Sequence, residues 1–147
     1  GADAETSIRA LVPALIAAAR QHGNYNVLYN EITSGSCREF APELAREIES
    51  RTAQLYTCLF ETAKEAGALA PGLAPEAAAF FFDNLLMMLQ FSYSCDYYQH
   101  RMRLYCGENA AWNDEMMADQ LTRFLLGAMR GDGSCNISLP TTSEPLA

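Results

Sequence analysis

Basic residues are scarce in this sequence. The 147 residues include 10 Lys and Arg against 18 Asp and Glu, so the net charge at pH 7 is −8 and the pI is about 4.6. No cluster of Lys or Arg offsets this charge locally. Because phosphate groups repel an acidic surface, we expect these residues alone to bind neither nucleic acid nor an anionic membrane.

A long uninterrupted hydrophobic run is also lacking. The most apolar segment, FFFDNLLMMLQFSYSCDYY at residues 80–98, is interrupted by Asp83, Asn84, Gln90 and Asp96. A helix that crosses a bilayer needs about 20 predominantly apolar residues. A carboxylate well inside such a span costs roughly 2.5–3.5 kcal/mol on insertion scales. We therefore predict no membrane span, and the start GADAETSIRA has no features of a signal peptide.

The five cysteines contain no CxxC pair. Scattered cysteines in an odd number are typical of reduced thiols, so we expect a cytoplasmic protein. Cys95, His100 and Cys106 could be interpreted as metal ligands, but their spacing does not place them on one helix face. Buried thiols and a surface histidine are the favoured interpretation, and no metal site is predicted.

Catalytic motifs are absent as well. The sequence has no GxSxG, HExxH, P-loop or GxGxxG motif, and its two histidines lie far apart. Several carboxylates fall on the predicted solvated face of the third helix, where charged residues usually belong: Glu39, Glu43, Glu47 and Glu49. We therefore expect no catalytic residues, no enzymatic activity and no cofactor.

Alternating patterns typical of strands are nearly absent, and the capping and terminating residues are those of helices. The sequence predicts an all-α domain of about five helices over residues 1–131, followed by a flexible tail at 132–147. Asp3 or Thr6 can cap the first helix, and Pro13 inside it implies a kink or a later start. A short second helix is expected to end at Gly35.

The third helix shows the clearest pattern. Ser36 and Glu39 fit a capping box at its start, whereas Pro42 favours a start near that residue, and both starts remain open. Gly67 marks its end, and its apolar stripe comprises Phe40, Leu44, Ile48, Thr52, Leu55, Leu59 and Ala63. The fourth helix is predicted as one continuous helix over residues 75–105. The fifth begins at Asn113 or Asp114 and ends at Gly131.

Apolar side chains cover most of the circumference of the predicted fourth helix. Its own subunit can bury about half of them, so we expect two copies to form an intersubunit four-helix bundle from their last two long helices. Gly127 costs about 1 kcal/mol relative to Ala inside a helix, which a close helix crossing would explain. Packing of Gly127 within its own subunit is the alternative. The predicted dimer interface comprises Tyr93, Tyr97, Met117, Leu121, Phe124, Leu125, Gly127 and Ala128.

The helix order, the AGALAPGLAPEAAA connection and the LTRFLLGAMRG ending together resemble the C-terminal domain of TetR/AcrR-type transcriptional regulators, over about residues 3–131. The resemblance implies dimerisation through the last two helices, a small-molecule pocket between the others and DNA binding by an N-terminal helix-turn-helix. Nothing before Ile8 can form that motif. DNA is therefore an expected partner only through a further N-terminal domain.

A pocket between helices is mostly apolar, with a few polar groups that orient the ligand. Asn84 is the most informative polar residue, because a buried amide without partners costs roughly 1–3 kcal/mol. The residues predicted to bind a small hydrophobic or aromatic effector are Tyr25, Tyr29, Tyr56, Phe60, Asn84, Met87, Met88 and Phe91. The alternatives are that these side chains form ordinary core, and that the chain is a dimeric scaffold module without a ligand pocket.

Overall fold

Residues 3–110 and 113–131 are described by a computed structural model. Within these ranges the chain is helical and contains no strand. The main helices are α1 (Ala4–Gln21), α2 (Gly23–Glu31), α3 (Ala41–Glu65), α4 (Pro75–Ser94), α5 (Asp96–Cys106) and α6 (Asp114–Arg130). Short turns of π and 3₁₀ type, Ile32–Ser36 and Arg38–Phe40, connect α2 to α3. The all-α prediction is confirmed, and the predicted tail at 132–147 lies outside the described residues.

Helix α1 begins where the sequence predicts. The Asp3 carboxylate accepts a 2.7 Å hydrogen bond from the backbone N–H of Thr6, which satisfies a donor that the first helical turn leaves free. The helix runs through the exposed Pro13, so a later start is excluded. Its buried stripe is Ala4, Ile8, Val12, Ile16 and Ala19.

Helix α3 begins at Ala41, which agrees with the later of the two possible starts, and it ends before Gly67 as predicted. Its buried face is rotated from the predicted stripe. Pro42 lies in its first turn, and Gly67 follows its last turn with φ 68°. Leu55 is 66% exposed, whereas its neighbour Tyr56 is buried. The reason is the contact with α4, where the rings of Tyr56 and Phe60 pack edge-on against the ring of Phe82. The prediction that Phe40, Ile48 and Leu55 are buried is wrong.

The prediction of a single continuous helix over residues 75–105 is wrong, because the structure has two helices there. The chain is extended at Cys95 (φ −113°, ψ 128°), which separates α4 from α5. Asn26 of α2 donates a 2.8 Å hydrogen bond to the Ser94 hydroxyl, and the side-chain amide of Gln99 donates to the Tyr93 carbonyl. That carbonyl loses its helical partner at the break, so Gln99 replaces a lost backbone hydrogen bond.

Helix α4 lies at the centre of the fold, in contact with α1, α2, α3 and α5. The Phe82 ring packs edge-on against Tyr56 and Phe60, with centroid distances of 4.9 and 5.5 Å. Such pairs contribute about 0.5–1.5 kcal/mol each beyond their buried area. Helix α6 packs mainly on α1. Its end is fixed by a 2.6 Å hydrogen bond from the Ala70 N–H to the Met129 carbonyl.

The close approach of the α6 end to the α3–α4 connection requires glycine at position 131. Gly131 has φ 57°, and a Cβ added there would lie 2.5 Å from the Ala70 Cβ. The left-handed conformation also suits the end of a helix.

Among residues 3–110 and 113–131, no helix is both long enough and apolar enough to cross a membrane. This agrees with the prediction that residues 80–98 do not form a membrane span.

Candidate ligand-binding site

A groove lies between α2, α3 and α4. It consists of two adjoining cavities of about 340 and 250 Å³ that share part of their walls. The side chains that line both are Tyr29, Glu49, Tyr56, Asp83 and Met87. We call these five residues and the space between them the α2–α3–α4 groove. The volume of the larger cavity is within the range of small-molecule sites, roughly 300–1,000 Å³.

Helical periodicity places these side chains together. On α3, Glu49, Ala53 and Tyr56 recur at spacings of four and three, so they share one face. On α4, Asp83 and Met87 are one turn apart and face the same way. The groove is therefore formed by rigid helix surfaces, which hold its polar groups in place.

The aromatic wall of the groove is held by further ring contacts. The Tyr29 ring lies 5.9 Å from that of Phe91, which in turn lies 5.6 Å from Tyr98 of α5. On the opposite wall, the Tyr56 ring is fixed edge-on against Phe82. These contacts restrict ring motion, so the wall is largely formed before any ligand binds.

The hydroxyl of Tyr29 donates a hydrogen bond to the Glu49 carboxylate. Burial and this hydrogen bond to Glu49 raise the pKa of Tyr29, and burial together with the charge of Asp83 raises the pKa of Tyr56. Both phenols therefore stay protonated at neutral pH. Burial, followed by repulsion from Glu49, also raises the pKa of Asp83.

Five of the predicted ligand-binding residues line the groove. Tyr29, Tyr56 and Met87 line both cavities, Asn84 lines the larger one and Phe91 the smaller one. The structure therefore brings these five residues together around one groove, and their binding of a ligand stays a prediction.

The other three predicted ligand-binding residues lie elsewhere. Tyr25 is 71% exposed and Phe60 is only 2% exposed within the core. Met88 faces a different cavity, between α4, α5 and α6. A step of one residue turns a side chain by about 100° around a helix, so the adjacent Met87 and Met88 face different surroundings.

Two acidic residues of the groove were missed as site residues. Glu49 was predicted on the solvated face of the third helix, but it is half-buried and faces the groove. Its spacing of seven residues from Tyr56 was the available signal, because such residues share a helix face. Asp83 was considered only as an obstacle to membrane insertion. Its neighbour Asn84 was selected, although both line the larger cavity.

The predicted dimer-interface residues differ in exposure. Tyr97, Phe124, Gly127 and Ala128 are exposed, and Met117 and Leu121 are partly buried. Tyr93 and Leu125 lie in the core of the single chain, where the Arg20 guanidinium lies 4.5 Å from the centre of the Tyr93 ring. Five further large apolar side chains on α4 and α5 are exposed, namely Phe80, Phe81, Leu85, Leu104 and Tyr105.

Gly127 is exposed, and apart from its chain neighbours and the backbone of its own helix, no atom of the described residues lies within 4 Å of a Cβ built there. The alternative that Gly127 packs closely within its own subunit is therefore wrong. Nearby, an open cavity of about 390 Å³ between α4, α5 and α6 is lined by apolar side chains such as Leu85, Met88, Leu121 and Phe124.

Cys37, Cys58, Cys95 and Cys106 are free thiols. Cys58 and Cys106 are exposed, so the expectation of a buried thiol is wrong for Cys106. Within the described part of the chain, no group of three or more His, Cys, Asp or Glu side chains is placed to hold a metal ion.

No protein-family model, curated protein or solved structure matches this chain. The resemblance to TetR/AcrR-type C-terminal domains therefore stays a prediction from the order and lengths of the helices. Function has to be inferred from the groove and from the exposed surface.

Replacement of Asp83 tests the electrostatics of the groove. The raised pKa means that ionised Asp83 destabilises the folded state, so the associated stability is present at low pH and is lost as pH rises through the folded pKa. We expect Asp83→Asn to raise the melting temperature at pH 7 by a few degrees at most. This gain should shrink as pH is lowered towards 4. Circular dichroism melts over this pH range measure both effects.

Asp119→Asn is the matched control for this prediction. The hydrogen bond and charge of Arg123 lower the pKa of Asp119, so removal of its charge should lower the melting temperature at pH 7. A decrease in melting temperature for Asp83→Asn at pH 7 would contradict the account of the groove.

Proposed function

We propose that residues 3–131 form the ligand-binding and dimerisation domain of a TetR-type transcriptional regulator, which senses a small hydrophobic or aromatic ligand. The observation that carries this proposal is the α2–α3–α4 groove. Its larger cavity of about 340 Å³ can enclose a molecule of two fused or linked rings. No DNA contact is assigned to these acidic residues, and DNA binding belongs to a separate N-terminal domain.

The chemistry of the groove supports small-molecule recognition. Aromatic rings from α2 and α3 supply flat apolar surface, and the flexible thioether of Met87 can adapt to ligands of different shape. The Asn84 amide and two phenol hydroxyls supply polar groups that can fix the orientation of a ligand. This combination of many apolar and few polar groups is typical of ligand pockets.

The exposed apolar surface supports dimerisation. Phe81 is 59% exposed, Phe124 is 63% exposed, and Leu104 and Tyr105 are still more exposed. Burial of such area contributes roughly 25 cal/mol per Å², so a second copy that covers it would gain several kcal/mol. Gly127 adds to this support. A glycine inside α6 weakens the helix, and the open space at its Cβ position leaves room for the close approach of a second copy.

A dimeric scaffold module is the second candidate function. The same exposed apolar side chains favour it, because a scaffold also needs an interaction surface. A scaffold module, however, does not require a ligand in the α2–α3–α4 groove. Ligand binding therefore distinguishes the two functions.

Filling the groove tests the sensor. We expect the neutral fluorescent probe N-phenyl-1-naphthylamine to bind the wild-type chain. Ala53→Phe should weaken that binding about tenfold or more, because Ala53 lines the larger cavity and the added ring occupies it. Fluorescence titration measures both dissociation constants.

Ala10→Phe is the matched control, since Ala10 is exposed on α1 and lines neither cavity of the groove. It should leave the dissociation constant unchanged. Equal binding by Ala53→Phe and the wild type would contradict the assignment of the site. Absence of probe binding to the wild type would favour the scaffold.

Sedimentation tests the dimer. We expect the wild type to sediment as a dimer at micromolar concentration. Phe124→Asp should weaken association by roughly 30-fold or more, because a central apolar contact often contributes about 2 kcal/mol and a carboxylate is poorly tolerated there. Leu28→Asp alters a side chain that is also exposed but lies on α2, so it should leave the dimer intact. A monomeric wild type at micromolar concentration would end the dimer proposal.

A further inference from the structure

The α2–α3–α4 groove carries negative charge that the chain does not balance. Glu49 and Asp83 line both cavities, and Glu76 lines the larger one. None of the described residues that line the two cavities is Lys, Arg or His. None of the ion pairs found within residues 3–110 and 113–131 includes these three carboxylates.

Two other carboxylates among the described residues are half-buried, and both are paired with arginine. Glu5 contacts both Arg9 and Arg130, and the Asp114 carboxylate lies 2.6 Å from Arg20. A carboxylate against apolar walls is unfavourable unless it is paired or protonated. Glu49 and Asp83 are therefore the half-buried acids of the described chain that lack an ion pair, and both line the α2–α3–α4 groove.

The two carboxylates have different surroundings. Glu49 accepts the hydrogen bond of the Tyr29 hydroxyl, which orients it towards the groove. Asp83 accepts no hydrogen bond from the described residues, and its pKa is raised by burial and by Glu49. A positive group placed between Asp83 and Glu49 would relieve their repulsion and supply the hydrogen bonds that Asp83 lacks.

The aromatic wall fits the same kind of ligand. The side chains of Tyr29, Tyr56 and Phe91 line the same cavity as the two carboxylates. An aromatic face attracts a cation by about 0.5–2 kcal/mol, depending on how far the cation is desolvated. Both phenols stay protonated, and their oxygens can accept hydrogen bonds from the N–H groups of a cationic ligand.

We propose that the ligand of the α2–α3–α4 groove is a lipophilic cation, an ammonium or amidinium group on an apolar or aromatic body. The cation lies between Asp83 and Glu49, and the apolar body lies against Tyr56, Met87 and the Ala53 face of α3. This assignment rests on the proposed function, because it names the chemical class of the molecule that the same groove senses.

Three probes with one scaffold and different charge test the proposal. They are 4-phenylbutylamine, which is cationic at pH 7, neutral 4-phenyl-1-butanol and anionic 4-phenylbutyrate. Isothermal titration at low salt measures the three dissociation constants. We expect the amine to bind about tenfold or more tightly than the alcohol, as a charged hydrogen bond would give, and the butyrate to bind most weakly.

Charge-removing variants locate the effect. Asp83→Asn and Glu49→Gln should each reduce the preference for the amine over the alcohol several-fold. Glu61→Gln removes an exposed carboxylate of α3 that lines neither cavity. It controls for the change in net charge and should keep the full preference. If one groove variant does not fold, the other still decides the result.

The possible outcomes separate the two proposals. Equal or tighter binding of the alcohol by the wild type would overturn the cation assignment but leave the sensor standing. An equal loss of preference in Glu61→Gln and Asp83→Asn would also overturn it, because the attraction would then be non-specific. No binding of any of the three probes would contradict the proposed ligand site itself.

Discussion

Helix α4 has apolar side chains on more sides than any single neighbour can cover, and the rest of the structure depends on how they are covered. Phe82 and Leu86 are buried against the adjoining helices. Met87 borders the α2–α3–α4 groove, and Met88 faces the open cavity next to α6. Covering apolar area is the main favourable contribution to folding and association. One helix thereby contributes to the core, to the candidate ligand site and to the candidate dimer surface.

Local rules predicted the helix ends well and the helix break badly. Asp3 and Asn113 cap α1 and α6 through their side chains, as their residue types suggest. The break at Cys95 has no Gly or Pro beside it in the segment SYSCDYY. It coincides with the hydrogen bond between Asn26 and Ser94, which joins residues far apart in sequence. Local propensity contains no information on such a tertiary contact.

The residues of the candidate site were only partly predictable, because the sequence pattern of one helix does not show which neighbour covers each of its faces. Periodicity identified apolar and aromatic side chains of α3 and α4, but it did not decide which face of each helix is covered. Glu49 was assigned to solvent, although it lies on the same face of α3 as Tyr56. Met87 and Met88 were grouped because both are flexible and apolar, yet they line different cavities. The positions of α2 and α6 around α4 determine which cavity each of the two methionines lines.

The central claim is that a small molecule binds in the α2–α3–α4 groove, and methionine methyl NMR tests it most directly. The chain labelled with ¹³C at its methionine methyl groups is titrated with 4-phenyl-1-butanol, a neutral probe independent of the charge inference. Met87 lines the groove and Met88 does not, so the account predicts a saturable shift of the Met87 methyl signal with little change at Met88. A saturable shift at Met88 alone, or no shift at either methyl group, would contradict it.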